Sequence, residues 1–324
     1  MPAMPMDAAS PDARPTSTSP TRFAYLGPEG TFAEAALSRA VGDSAPRSPR
    51  PTVAAALAAV RAGEVDAALV PFENSIEGSV PATMDGLADG APLLITREVF
   101  LEPTFVLAGR PGTTLADVRS VASHPHALAQ TARWLAAHLP TLSPQSETST
   151  AGSAEAVAAG RYDAAVCAPI AARRYGLVPI AEDIADHRGA VTRFVLVAPP
   201  GPLPEPTGND KTSLVAVVAD RTGALLDVLR EFAARGISLT RIESRPTRER
   251  RWVYSFSLDC EGHVAEARVG ETLAALHRVC DDVRFLGSYP RADERENRPV
   301  SDDATDAAFT DADEWLSKVR AGAL

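Results

Sequence analysis

Cysteine and long apolar runs are scarce in this 324-residue chain, and each scarcity excludes a class of protein. The three cysteines, Cys167, Cys260 and Cys280, are too far apart for a CxxC metal motif or a disulfide framework. They are instead expected as small core residues in a reducing compartment. No apolar run is long enough to span a membrane or to form the core of a signal peptide, so we expect a cytoplasmic protein.

Positive charge is also in deficit, with 32 Lys and Arg against 42 Asp and Glu, a formal net charge of −10 and a pI of about 5.2. This balance argues against nucleic acid or an anionic membrane as the main partner. It does not exclude an anionic metabolite, because one arginine in contact with a ligand outweighs a distant field.

Familiar catalytic signatures are missing as well. The sequence shows no Ser/His/Asp pattern, no nucleotide-binding glycine pattern and no paired-acid motif. The remaining possibility is a cleft lined with neutral hydrogen-bond donors, helix dipoles and one arginine. Such a site would stabilise a polyanion and its transition state electrostatically.

The length of 324 residues favours two or three domains, and composition divides the chain into five parts. In order, they are a disordered leader (1–21), a long α/β region (22–198), a proline-rich linker (199–210), a compact module (211–290) and an acidic tail (291–324). Prolines at the density of the linker resist both helix and sheet, so we expect a semi-rigid spacer. The tail contains one short helix candidate around Trp315 and Leu316.

Apolar strand candidates alternate with helical stretches in the long region. The clearest strand candidates are residues 23–26, 67–70, 105–108 and 164–167. This alternation predicts helices packed on mostly parallel sheets, with ligands bound at the carboxyl ends of the strands. Thr31 and Glu34 have the spacing of a capping box at a helix start.

The compact module predicts a βαββαβ order. Its elements are strand 213–219, helix 223–235, strands 238–245 and 251–260 joined by a charged turn at 248–250, helix 264–280 and strand 282–289. This is the ferredoxin-like arrangement.

A tripeptide, Thr192-Arg193-Phe194, interrupts the apolar strand-like run 190–197. A hydroxyl and a guanidinium in such a run are costly if they are buried without partners. The cost is explained if the strand crosses a cleft and both groups meet a polar ligand.

Polar clusters stand at four predicted strand ends or helix starts. They span 27–32, 71–79, 123–126 with Gln130 one turn later, and 148–153. A glycine-rich turn before a helix suits a carboxylate or phosphate, and Asn and Ser can read a carboxylate or hydroxyl. The alternative for each cluster is a plain helix cap. His124 and His126 could be metal ligands, but no carboxylate or cysteine stands at a diagnostic spacing, so no metal is predicted.

Taken in order, these clusters resemble prephenate dehydratase. The matching segments are 25–32, 70–75, 123–125 with 127–130, 149–151 and 192–194. The compact module resembles an ACT regulatory domain through 223–225 and 237–246. The chain departs from these patterns at His126, where glutamine is common, at Thr131, where cysteine is common, and at Ser238, where asparagine is common.

The resemblance implies an α/β fold. It combines a two-lobed catalytic region like the type II periplasmic binding proteins with the ferredoxin-like ACT domain. Lobe one would contain residues 22–98 and 187–198, and lobe two residues 99–186. The family converts prephenate to phenylpyruvate with loss of carbon dioxide and water and needs no cofactor. The resemblance also implies a homodimer or homotetramer, with L-phenylalanine bound between paired ACT modules as a feedback effector.

Site residues carry over to matching positions only. Thr192 is the implied catalytic residue, donating a hydrogen bond or relaying a proton to the leaving hydroxyl. The implied substrate-binding residues are Glu73, Asn74, Ser75, Ser123, Gln130, Ser149, Thr150, Arg193 and Phe194. Arg193 would either pair with a substrate carboxylate or brace the cleft wall. The implied effector-binding residues are Gly223, Ala224, Leu225, Glu243, Ser244, Arg245 and Pro246.

Other functions remain open at this point. Arogenate dehydratase has the same chemistry on a substrate with an amino group in place of the keto group. A non-catalytic amino-acid or keto-acid sensor could use the same bilobal fold, although it has no need for Thr192, Asn74 and Gln130 together. The compact module could serve only for dimerisation, and an ACT-only regulatory partner is disfavoured because the long region is so complete.

Overall fold

A computed structural model describes residues 22–76, 78–186, 189–246, 254–293 and 295–323. The expected leader (1–21) and the charged turn (248–250) lie outside these residues. The described strands are β1 (Phe23–Leu26), β2 (Arg47–Arg50), β3 (Ala67–Asn74), β4 (Gly78–Ser79), β5 (Leu94–Leu101), β6 (Val106–Gly109), β7 (Val121–Ser123), β8 (Gln145–Ser146), β9 (Ala164–Cys167), β10 (Val178–Ala181), β11 (Thr192–Ala198), β12 (Asp210–Val218), β13 (Leu239–Pro246), β14 (Tyr254–Glu261) and β15 (Asp282–Pro290).

Helices alternate with these strands over most of the chain. The described α-helices are α1 (Phe32–Val41), α2 (Val53–Arg61), α3 (Pro81–Ala88), α4 (Pro125–Gln130), α5 (Ala132–His138), α6 (Thr150–Ala158), α7 (Pro169–Arg174), α8 (Ala224–Ala233), α9 (Ala267–Val279) and α10 (Asp306–Arg320). Within the described ranges, none of these helices has the length and apolar character needed to cross a membrane.

The first sheet has the strand order β2-β1-β3-β11-β5, with β4 paired to the end of β3. β1 runs parallel to β2 and β3, whereas β11 lies antiparallel between β3 and β5. Strand alternation sends Ala24 into the core beneath α2, and Phe23 and Tyr25 into the core beneath α1. β5 continues to Leu101, three residues past the expected end of lobe one.

The second sheet has the order β10-β6-β9-β7-β8 and buried apolar clusters on its two faces. β7 is parallel to β8 and β9, while β6 is antiparallel to β9 and β10. The expectation of mostly parallel sheets is therefore wrong. The chain passes from the first sheet to the second and back again. The returning strand β11 therefore runs antiparallel to both of its neighbours, β3 and β5.

The third sheet, β13-β14-β12-β15, is entirely antiparallel and carries α8 and α9 on one face, which confirms the ferredoxin-like prediction. Its other face packs against the first sheet, where Val215, Leu286 and Tyr289 join the core that contains Phe72 and Ile95. The two units therefore share buried apolar surface across the proline-rich segment.

The expected acidic tail is partly built into this assembly. Arg291 and Asp293, directly after β15, form ion pairs with Glu261 and Lys211. Helix α10 spans 15 residues, more than the short helix expected around Trp315, whose surface is 60% exposed.

Candidate functional site

A cavity of about 400 Å³ lies between the first and second sheets, and we call it the interlobe cleft. It forms where the carboxyl ends of β1 and β3 meet the amino ends of α4 and α6, beside the loop that precedes β6. The residues lining it that matter below are Asn74, Thr192 and Phe194 from the first lobe and Phe105, His124, His126, Gln130, Ser149 and Thr150 from the second. The cleft therefore combines apolar rings with neutral hydrogen-bonding groups.

Thr192 and Asn74 are paired across β11 and β3. Asn74 Nδ2 donates to Thr192 Oγ1 over 2.9 Å, and Asn74 Oδ1 accepts from the Ile76 amide over 2.9 Å. The Ile76 contact fixes which end of the Asn74 amide faces Thr192. Because Thr192 Oγ1 accepts this bond, its own proton can be donated to a ligand.

Helix α6 presents its amino end to the cleft. Ser149 caps the helix, with its Oγ accepting from the Gly152 amide over 2.9 Å, and Thr150 is the first helical residue. The positive end of a helix dipole favours a bound anion. Ser149 thus both begins the helix and lines the cleft, so capping and ligand binding are compatible roles.

The α4 side of the cleft holds the two histidines and Gln130. His124 caps α4, its Nδ1 accepting from the His126 amide over 3.3 Å, and Gln130 ends the same helix. Two short helices, α4 and α5, meet at Thr131, whose backbone leaves the helical region. In the described part of the chain, no group of three or more His, Cys, Asp or Glu side chains could hold a metal ion.

An ion-paired rim joins the lobes beside the cleft. Thr31 caps α1 as expected, but Glu34 completes the turn by accepting from the Gly30 amide over 2.5 Å. Arg174 of α7 donates to Glu34 Oε1 over 2.7 Å and also pairs with Glu29. The turn that the sequence suggested for anion binding therefore holds the second lobe through a cation from α7.

Four of the expected substrate-binding residues lie elsewhere. Ser123 is fully buried, and its Oγ donates to the Val166 carbonyl over 2.5 Å. Glu73, Ser75 and Arg193 line a larger cavity of about 1190 Å³ between the first sheet and the third, which we call the interdomain cavity. Ser75 also holds the strand before Thr192, because its Oγ accepts from the Val191 amide over 2.9 Å.

The position of Arg193 contradicts the expectation that Thr192 and Arg193 meet one ligand. Adjacent strand residues point to opposite faces, so Thr192 and Phe194 face the cleft and Arg193 faces the third sheet. Its guanidinium is 4% exposed and lies 2.6 Å from Asp259 Oδ2 through Nη1. Nη2 donates to the Tyr289 hydroxyl over 2.8 Å, and Nε is 2.8 Å from Glu98 Oε2. Of the two roles considered, these contacts match bracing.

The buried Arg193 and Asp259 charges stabilise each other. Burial opposes the charge of Asp259, but the neighbouring Arg193 and Arg241 outweigh it and hold the carboxyl pKa well below its usual range. Burial likewise acts to lower the pKa of Arg193, yet Asp259 and Tyr289 raise it well above its ordinary value. The pair is therefore charged at physiological pH.

The expected effector residues lie on the unit that contains the third sheet, outside both cavities. Gly223 has φ +83° and precedes α8, which begins with Ala224 and Leu225. The other expected effector residues stand at the end of the edge strand β13; they are Glu243, Ser244, Arg245 and Pro246. Within one chain, Arg245 Nε lies 2.8 Å from Asp85 Oδ1 of α3.

Several residues with evident roles escaped the sequence analysis. Glu98 and Asp259 neutralise Arg193, and Arg174 holds the rim of the cleft. Glu98 did carry a signal, since it is a carboxylate within an apolar strand. Asp259 and Arg174 carried none, because their partners lie 66 and 140 residues away along the chain.

Comparison with known proteins shows two matching families. A family described as "Prephenate dehydratase" matches residues 23–201, and one described as "ACT domain" matches residues 212–278. The prephenate dehydratase of Amycolatopsis methanolica is 49% identical over 305 residues, covering 93% of this chain and 99% of that protein. The prephenate dehydratase of Mycobacterium tuberculosis is 48% identical over 310 residues, with coverages of 93% and 94%.

A solved structure is similar over nearly the same extent. It is the crystal structure of a prephenate dehydratase from Arthrobacter aurescens in complex with L-Phe. Its TM-score is 0.87 at 47% sequence identity, and the match covers 92% of this chain and 99% of the other.

Proposed function

The chain belongs to the prephenate dehydratase family and is a carbon–oxygen lyase with an ACT domain; from this premise we propose that it supplies phenylpyruvate for L-phenylalanine biosynthesis under feedback control by phenylalanine. The observation that carries the catalytic part is the hydrogen bond from Asn74 to Thr192 at the wall of the interlobe cleft. It leaves the Thr192 proton available to a departing hydroxyl.

The reaction does not require a strong nucleophile from the protein. Prephenate carries two carboxylates and a ring hydroxyl, and loss of carbon dioxide sends an electron pair into the ring as the hydroxyl leaves. Aromatisation drives both bond cleavages, so the protein must orient the ring and deliver a proton to the departing oxygen. Thr192 is the proposed donor or relay, and Asn74 supports it by donating to its oxygen.

Substrate anchoring follows from the rest of the cleft. The amino end of α6, with Ser149 and Thr150, faces the space where a carboxylate would gain from the helix dipole. Gln130 of α4 offers an amide to the same cleft. Phe105 and Phe194 supply apolar surface for the ring.

Regulation is proposed for the ACT domain. The similar Arthrobacter structure contains L-Phe, and this chain has a glycine with φ +83° at the head of α8. Among the described strands, β13 lies at an edge of the third sheet and pairs with β14 alone. Two copies would place Gly223–Leu225 of one module opposite Glu243–Pro246 of the next. We therefore propose a homodimer or homotetramer with phenylalanine between paired modules.

The test is turnover of prephenate and of arogenate, each with and without phenylalanine. We expect phenylpyruvate from prephenate as the preferred reaction, slower turnover with phenylalanine, and a higher Tm on effector binding. Preference for arogenate would replace the proposed substrate. If saturating phenylalanine changed neither turnover nor Tm, a module that serves only for dimerisation would explain the ACT domain better.

A further inference from the structure

Arg193 is anchored in the ACT domain one residue away from Thr192. Its guanidinium contacts Asp259 of β14 and Tyr289 of β15, and both partners are fully buried. Ser213 of β12 completes the group, donating to Asp259 Oδ1 over 2.7 Å and lying 2.5 Å from the Tyr289 hydroxyl. Two ACT strands therefore hold the Arg193 side chain directly, and a third supports the two side chains that do so.

Asp259 also connects to the edge strand β13. Arg241 Nε lies 3.2 Å from Asp259 Oδ2, and Arg241 Nη1 lies 3.5 Å from Glu243 Oε2. Glu243 Oε1 lies in turn 3.6 Å from Arg245 Nη1. A continuous series of charged groups thus leads from the expected effector residues on β13 to the strand that carries Thr192.

The position of Arg193 makes this connection matter for catalysis. Thr192 is the first residue of β11, so its placement depends on the residues that hold the end of that strand. Glu98 of β5 also pairs with the Arg193 Nε over 2.8 Å, but Asp259 is the nearer carboxylate at 2.6 Å. Because separating a buried guanidinium from a carboxylate carries a large desolvation cost, a displacement of Asp259 favours movement of Arg193 with it. The Arg193 and Arg241 side chains also line the interdomain cavity, which gives the group space to rearrange.

We propose that Arg193 is a positioning residue through which the ACT domain, by way of Asp259, sets the placement of Thr192 and transmits the effector response. This inference rests on the proposed function, and it deepens it by naming the route of regulation. The ACT domain helps to hold the catalytic threonine in its working position by keeping Asp259 on Arg193.

The experiment compares full-length wild type, Asp259→Asn and the matched control Asp85→Asn. Asp85 also forms an ion pair between the two units, with Arg245, but it has no contact with Arg193. For Asp259→Asn we expect kcat to fall roughly tenfold to a hundredfold with little change in KM, as for a misplaced catalytic group. Phenylalanine should still bind, measured by calorimetry, but should alter turnover less. Asp85→Asn should keep the wild-type kcat.

A second measurement does not depend on turnover. The Thr192 methyl resonance, assigned with Thr192→Ser in methyl-labelled full-length protein, should shift in Asp259→Asn and stay in place in Asp85→Asn. Should Asp259→Asn fail to fold, Tyr289→Phe removes one hydroxyl that contacts Arg193 and Ser213, leaves the Arg193–Asp259 pair in place, and should shift the same resonance. Unchanged kcat, effector response and Thr192 resonance in a folded variant would overturn the inference. A wild-type enzyme inactive on prephenate but with the expected shifts would overturn the proposed function alone.

Discussion

At the residue scale, the role proposed for Thr192 depends on its neighbours. A threonine hydroxyl is a poor acid, and among the residues that the structure describes Asn74 donates a hydrogen bond to its oxygen. The helix dipole of α6 acts on the same cleft from the other lobe. Catalysis of this kind rests on placement and electrostatics, because the reaction already has a strong driving force.

Replacing Thr192 with alanine tests this directly. We expect Thr192→Ala to lower kcat by about two to four orders of magnitude, because a positioned proton donor is lost. Thr192→Ser keeps the hydroxyl and should retain much more of the activity. Phenylpyruvate formation measures both variants, and circular dichroism checks folding. Near-normal turnover of a folded Thr192→Ala enzyme would remove Thr192 from the mechanism.

Arg193 marks the limit of prediction at this scale. The cost of burying a guanidinium in an apolar strand indicated that Arg193 needs a polar group beside it, which the sequence analysis expected to be a ligand shared with Thr192. The partner could not be identified, because Asp259 lies 66 residues later and looks like an ordinary polar residue of a strand. The alternation of β11 could have separated Thr192 from Arg193, since a period of two places neighbours on opposite faces.

At the element scale, contact between β15 and β5 joins the catalytic region to the ACT domain. Gly287 has φ +132°, and a Cβ at this position would overlap the Ile95 carbonyl oxygen. The approach of the two strands therefore requires the absence of a side chain. Leu286 and Tyr289, on the same strand, bury their side chains in the core that contains Ile95.

Substitution of this glycine should separate the two strands. We expect Gly287→Ala to lower the free energy of unfolding by about 2–4 kcal/mol, from backbone strain together with overpacking. Gly201→Ala is the control, since Gly201 has no positive φ and nearly open surroundings. Urea unfolding monitored by tryptophan fluorescence measures both changes. Equal stability of the two variants would show that β15 can move without cost.

Prediction of elements succeeded where apolar periodicity was strong. Helix α8 was expected because Leu225, Leu226, Leu229 and Phe232 recur at helical spacing. Phe232 lies in the core and Leu225 packs against it, whereas Leu226 is 49% exposed. Strand β2, Arg47–Arg50, was missed because its four residues contain no apolar side chain apart from Pro49. Its strand conformation comes from pairing with β1, a contact that local sequence does not encode.

At the scale of the whole molecule, buried charge is concentrated where the ACT domain meets the first sheet. Besides Arg193 and Asp259, Lys211 lies 3.0 Å from both Glu98 Oε1 and Asp293 Oδ2. Burial opposes the charge of Asp293, but hydrogen bonds from Arg291 and Lys211 lower its pKa to about 2. Docking of the two units therefore depends on carboxylates that must remain ionised.

The depressed pKa of Asp259 predicts a specific acid response. Its contribution to stability is complete above the unfolded-state pKa of about 3.9 and is lost as the pH falls toward the lower folded-state pKa. Wild type should therefore be more stable than Asp259→Asn at pH 7, and the difference should shrink below about pH 4. Thermal unfolding of both proteins between pH 7 and pH 3 measures this. A stability difference that stayed constant or grew in acid would contradict the assignment.

By itself, the sequence determined the local structures and the identity of the chemistry. The helix cap at Thr31, the βαββαβ order of the ACT domain and the tripeptide containing Thr192 are all encoded within a few neighbouring residues. Only the tertiary structure decided which side chains share a cleft. It placed Thr192 beside Asn74 and turned Arg193 away toward Asp259. The reason is physical: capping and periodicity act over one or two turns of chain, whereas the partner of a buried charge is fixed by how separate sheets pack together.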